Sequence, residues 1–179
     1  MTTATVTETE FAQKLFDAYQ AQHALNPTDF KDVIVDEEMA YHVQAKLTDL
    51  KQQPVGGYKV SLTSAETQKM FNAHMPLYGA QVADHFLAAP ASVRLSQLMA
   101  PLVEVELVFK AKEALTATDS LTDLWRKTTV APGLELPDSR FSDWFPSLPK
   151  NLVVADAAVG GLVVYGEEVA TSQRFKSVD

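Results

Sequence analysis

Three glutamates and one lysine are the residues of this sequence whose setting could do chemistry. Glu104 and Glu106 stand two apart in "PLVEVELVFK", residues 101–110, a run of branched apolar residues that reads as a strand. Successive strand side chains point to opposite faces. Val103, Val105, Leu107 and Phe109 therefore share one face, expected to be buried, and the two glutamates share the other. Carboxylates held about 7 Å apart on one strand face repel unless water screens them or a cation lies between them. Alternation leaves both answers open. Glu135 in "GLELP" sits in a similar setting, between Leu134 and Leu136. Three carboxylates with no partnering His or Cys would make a hard, oxygen-rich site suited to Mg2+ or Mn2+; the plain alternative is three solvated glutamates. Lys59 follows two glycines in "GGYKVSL". It reads either as a surface lysine on a strand or as a proton donor or anion anchor, since a buried lysine shifts its pKa readily.

Other chemistries find little support. His23, His42, His74 and His85 show no ligand spacing on a common helix face, and no nucleophile elbow, phosphate-binding loop or dinucleotide fingerprint occurs. The absence of cysteine excludes disulfides, zinc–thiolate sites and a cysteine nucleophile.

Helices and strands must position these residues. The stripe Phe11, Leu15, Ala18, Tyr19 and Leu25 predicts a helix over 9–25 with Thr9 as N-cap. A second helix over 36–50 has acids in its first turn, where the helix dipole favours them. A short strand is expected over 58–62. The Thr63–Glu66 spacing then predicts a capping box and a helix to about residue 73. "PLYG" reads as a turn, and "TDSLTDLWRK" as a short helix capped near Thr118 or Asp119. "APGLELPDSRF" reads as extended, and "NLVVADAAVGGLVVYG" as one or two buried strands with Gly160 and Gly161 at a bend or close approach. Helices first and strands later indicate an α+β fold, with a helical region over 1–54 and the main domain over 55–179.

Composition bounds the partners. A net charge of −8 argues against nucleic acid and anionic membrane, which both select basic patches. A small anionic substrate stays compatible, because a bound metal reverses the local sign of charge. The sequence carries neither a signal-peptide pattern at its start nor an apolar run of the ~20 residues a spanning helix needs. The expectation is a cytoplasmic protein.

Taken in order, "GYKVSLTSAETQ", "PLYG", "VEVEL", "LELPDSRFSDW" and "VVADAAVGG" resemble the 2-keto-4-pentenoate hydratases of the fumarylacetoacetate hydrolase superfamily, with 4-oxalocrotonate decarboxylases as close relatives. The specific combination is E-x-E, a lone Glu about thirty residues on, then S-R-x-x-D-W. The resemblance runs from about Val55 to Gly166. It implies a mixed β-roll with flanking helices, and Mg2+ or Mn2+ held by Glu104, Glu106 and Glu135. It also implies a small 2-oxo or 2-hydroxy acid substrate whose enolate the cation stabilises, and Lys59 as the residue assisting proton transfer or orientation. Water addition to a 2-hydroxy-dienoate is the expected reaction; decarboxylation, C–C hydrolysis or a non-catalytic homologue are the alternatives.

Two departures stand out. Where the family often has an acid, in P-D-[YF]-G, this sequence has Leu77, for which His74 or Asp84 are candidate stand-ins. The A-D-N-A motif reads "ADAA", keeping Asp156 and replacing the amide by Ala157. The family also continues further toward the C-terminus. The expectation is therefore either a truncated product or a shortened fold whose exposed sheet is covered by homo-oligomerisation, with marginal stability as a monomer.

Overall fold

The computed structural model describes residues 6–34 and 36–174. The two expected N-terminal helices form as α1 (Glu8–Ala21) and α2 (Glu37–Leu50). α1 is capped by Thr7, not Thr9. Thr7 and Glu10 satisfy each other's backbone reciprocally, Glu10 N donating to Thr7 Oγ1 at 3.2 Å and Thr7 N to Glu10 Oε2 at 2.8 Å. Asp36 caps α2 by accepting from Met39 N at 2.8 Å.

β1 (Val55–Ser61) pairs antiparallel with β2 (Leu77–Val82) as a separate two-stranded ribbon. Leu77, Tyr78 and Gly79 thus lie in a strand, where "PLYG" had read as a turn. Between the two strands runs α3 (Ala65–Met70), capped by Ser64 onto Thr67 N rather than by a Thr63–Glu66 box, and shorter than expected.

The larger sheet holds β3 (Phe86–Ala88), β4 (Glu104–Ala111), β5 (Thr128–Leu136), β6 (Leu162–Tyr165) and β7 (Val169–Ala170). Its order is β3-β6-β5-β4, with β7 also pairing to β5. Of these pairings β3–β6 is parallel and the others antiparallel, so the sheet is mixed, as the resemblance implies. α4 (Leu121–Lys127) enters β5 directly; Ser120, in a capping box with Asp123, starts it, not Thr118 or Asp119. "NLVVA" is not a strand. It forms α5 (Lys150–Ala155), buried along Leu152–Ala155, because a short apolar run does not distinguish a buried strand from a buried helix. A final turn of helix, α6 (Thr171–Arg174), follows β7.

One core joins the helices to the chain after β5. Phe11 stacks on Phe30 with ring centroids 5.0 Å apart, and both pack on Phe141. Val43, Leu47, Leu152 and Val154 fill the space between α2 and α5. The apolar face of β4 lies elsewhere. Val105 is 85% exposed, Leu107 55% and Phe109 52%, against the expected burial. β4 is an edge strand, and among the described residues no layer covers that face.

Candidate metal centre

The β4–β5 register sets Glu104 directly opposite Glu135, and Glu106 opposite Gly133. Opposed residues share a face, so the three glutamates project from one side of the sheet. Each offers a carboxylate oxygen within 4.8 Å of the other two, with Glu135 buried and Glu104 and Glu106 exposed. Like charges placed directly opposite in a sheet are destabilising, so this arrangement needs positive charge nearby. Oxygens around a cation bound at about 2.0–2.6 Å lie no more than roughly 4–5 Å apart. The observed spacing meets that limit with side-chain rotation alone, and the all-oxygen donor set is the hard kind that Mg2+, Mn2+ or Ca2+ takes. The residues present fit a divalent cation.

The positive charge in place is Lys59. Its Nζ lies 2.7 Å from Glu135 Oε1, with side chains only 8% and 7% exposed. Lys59 belongs to the inner face of the β1–β2 ribbon together with Gly57 and Ser61. The pair therefore ties the ribbon to the larger sheet at the glutamates. Burial pushes the Glu135 carboxyl above its usual range; Lys59 opposes that rise, while Glu104 and Glu106 add to it.

Behind Lys59 the backbone is held close. Its cross-strand partner is Gly79, where a Cβ would stand 2.0 Å from the Ala157 carbonyl oxygen, so only glycine lets the segment after α5 approach β2. That segment is a left-handed turn with φ of 52°, 54° and 51° at Ala157, Ala158 and Val159. Non-glycine residues pay roughly 1–2 kcal/mol each in this region, so the surroundings must impose it. Arg140 does much of this. Its Nε pairs with Asp156 Oδ1, its Nη2 donates to the Asp156 carbonyl at 2.6 Å, and its Nη1 to the Gly160 carbonyl at 2.9 Å. Ser139 Oγ and Arg140 N both donate to Asp156 Oδ2 at 2.9 Å. Gln81 Nε2 donates to the Ala157 carbonyl at 3.1 Å. The S-R and A-D motifs are thus two halves of one buried ion pair. The partners lie 16 residues apart, and no local pattern joins them.

The remaining candidates stand apart. His74 is exposed after α3 and lines a shallow depression with Gln68, Lys69 and Asn72. Asp84 is exposed in the 3-10 turn Ala83–His85. Among the described residues no hydrogen bond or ion pair links either to Lys59 or the glutamates. Leu77 lies on the ribbon's inner face opposite Ser61, two cross-strand pairs from Lys59, and is buried in the core.

No family model matches the chain. It is 29% identical over 163 residues to a 2-hydroxyhexa-2,4-dienoate hydratase of Comamonas testosteroni, covering 87% of this chain and 61% of that protein. It is 28% identical over 178 residues to a 2-hydroxypent-2,4-dienoate hydratase of Pseudomonas putida, covering 94% and 78%. A 2-keto-4-pentenoate hydratase of Paraburkholderia xenovorans is 31% identical over 164 residues, with 88% and 60% covered. The chain thus spans about three fifths of the first of these relatives. The fold is similar to that of the 4-oxalocrotonate decarboxylase of Pseudomonas putida G7, solved with magnesium and adipate. The TM-score is 0.82 at 22% identity, over 93% of this chain and 65% of that one. By sequence the chain is similar to these hydratases over most of its length, and by fold to the decarboxylase.

Proposed function

We propose that this chain belongs to the 2-keto-4-pentenoate hydratase family and is a divalent-metal-dependent hydro-lyase adding water to a small 2-hydroxy-dienoate or 2-oxo-enoate. The observation that carries the reading is the convergence of Glu104, Glu106 and Glu135 on one sheet face beside Lys59. Glu104, Glu106 and Glu135 would hold Mg2+ or Mn2+. A bound cation would supply Lewis-acid polarisation of the substrate's 2-oxo group. Lys59, nearly buried against Glu135, would attract the substrate's anionic end and stabilise a developing negative oxygen. No step is assigned to His74 or Asp84. We further propose that the protein works in the cytoplasm as a homo-oligomer; among the described residues no helix is long and apolar enough to cross a membrane.

Turnover of 2-hydroxypenta-2,4-dienoate, followed with and without Mg2+, tests the reading. Activity should require the ion, and Glu106→Gln should lower kcat/KM at least 100-fold while circular dichroism stays unchanged. Equal rates with and without metal in a folded Glu106→Gln protein would remove the site.

Leu77 favours a second reading on the same scaffold. A buried apolar side chain at position 77 cannot transfer the proton that water addition asks of an acid there. Loss of CO2 from a 2-oxo-enedioate uses the same electron sink without that group. Release of CO2 in place of a hydrated product would select it.

A further inference from the structure

Resting on the metal-site reading above, we propose that Lys59 is a built-in stand-in for the cation: it occupies the charge position at Glu135 and so holds the metal affinity of the glutamate trio down.

Glu135 is the buried member of the trio, and Lys59 Nζ contacts it at 2.7 Å. Both side chains are more than nine-tenths shielded from solvent, so water screens neither of them well. A buried carboxylate left alone is costly; paired with an ammonium it is tolerated. Lys59 therefore keeps Glu135 in place in the metal-free protein. It reaches the carboxylate from the β1–β2 ribbon, a different sheet from the one bearing the glutamates. It is thus independent of the β4–β5 register that assembles the trio.

A divalent cation that takes an oxygen of Glu135 arrives next to that ammonium, and the two positive charges repel. The charge balance states the consequence. Three carboxylates and one ammonium sum to −2, which one divalent ion brings to zero; without Lys59 the same ion would meet −3. A neutral loaded site does not repel an anionic 2-oxo acid, whereas one retaining net negative charge does. Lys59 trades metal affinity for substrate tolerance. Glu104 and Glu106, both exposed, have no such counter-ion among the described residues and stay available to the incoming ion.

The test is Mn2+ binding by isothermal titration calorimetry, with the electron paramagnetic resonance of free Mn2+ as a second readout and no substrate present. Lys59→Met should bind Mn2+ at least tenfold more tightly than the unmodified protein. It should also gain more thermal stability on adding Mn2+, because the ion replaces the lost partner of Glu135. Lys59→Arg, which keeps the charge, should bind as weakly as the unmodified protein. If Lys59→Met folds only with Mn2+, the proposal is supported; if it does not fold at all, Lys59→Gln is read in the same way. Equal or weaker binding by Lys59→Met or Lys59→Gln, with Glu106→Gln still abolishing binding, overturns the proposal and leaves the metal site standing. Binding indifferent to Glu106→Gln, or absent throughout, overturns the metal-site reading and the proposal with it.

Discussion

At the scale of single residues, the molecule keeps several ionisable groups in places that water would normally deny them. His85 is buried 4% exposed, with Nδ1 2.9 Å from Gln81 Oε1. Because Gln81 Nε2 donates to the Ala157 carbonyl, its oxygen accepts, and His85 Nδ1 carries the hydrogen. Burial, reinforced by the nearby charges of Lys51 and Arg140, pushes His85 down to about 3. The unfolded chain takes up this proton near pH 6.5 and the native protein does not. His85 therefore contributes stability that is present above about pH 6.5 and lost as pH falls from there toward 3. The slope is about 1.4 kcal/mol per pH unit. Lys51, pushed down to about 7 by burial and by Arg140, acts in the same direction over the alkaline range. Urea denaturation across pH 4–7 should show stability falling with acid, and His85→Gln should flatten the part of the slope due to this one proton.

At the scale of elements, the metal-site reading depends on a relay of close contacts. The Arg140–Asp156 pair shapes the left-handed turn Ala157–Val159, the turn's carbonyl sets the approach to Gly79, and Gly79 faces Lys59 across the ribbon. A buried glutamine adds to this support: Gln44 of α2 donates to the Val154 carbonyl at 2.7 Å and accepts from Ala80 N at 3.0 Å. Breaking a buried ion pair by removing one member costs about 3–5 kcal/mol. Asp156→Ala should therefore lower the denaturation free energy by about that amount, the other buried partner being left uncompensated. It should also tighten Mn2+ binding, since Lys59 loses its fixed backing against Glu135. A variant with unchanged stability would show that the turn is held by other contacts.

At the scale of the whole molecule, the contrast between the two faces of β4 carries the prediction. The glutamates project on one side and an exposed stripe of Val103, Val105 and Leu107 on the other, continued by Leu134 on β5. An edge strand with an uncovered apolar face is prone to association. Light scattering should find the chain as an oligomer, and Val105→Lys with Leu107→Lys should shift it toward the monomer. A monodisperse, cooperatively melting monomer of the unmodified chain would count against a homo-oligomer built on this face.

Local chemistry made part of this legible without coordinates. The strand period alone put Glu104 and Glu106 on one face, and helix periodicity with acids at N-termini located α1 and α2 to within a few residues. Capping positions slipped by one or two residues, because Thr, Ser and Asp are equivalent as caps until the backbone decides which side-chain oxygen faces a free N–H. "NLVVA" was misread because an all-apolar run has no period to distinguish its two possible states. The meeting of Glu135 with Glu104, the reach of Lys59 from another sheet, and the pairing of Arg140 with Asp156 are relations across separations that no local pattern encodes. The burial of one face of a strand is likewise decided by what packs on it, and only the tertiary arrangement shows that nothing among the described residues covers the apolar side of β4.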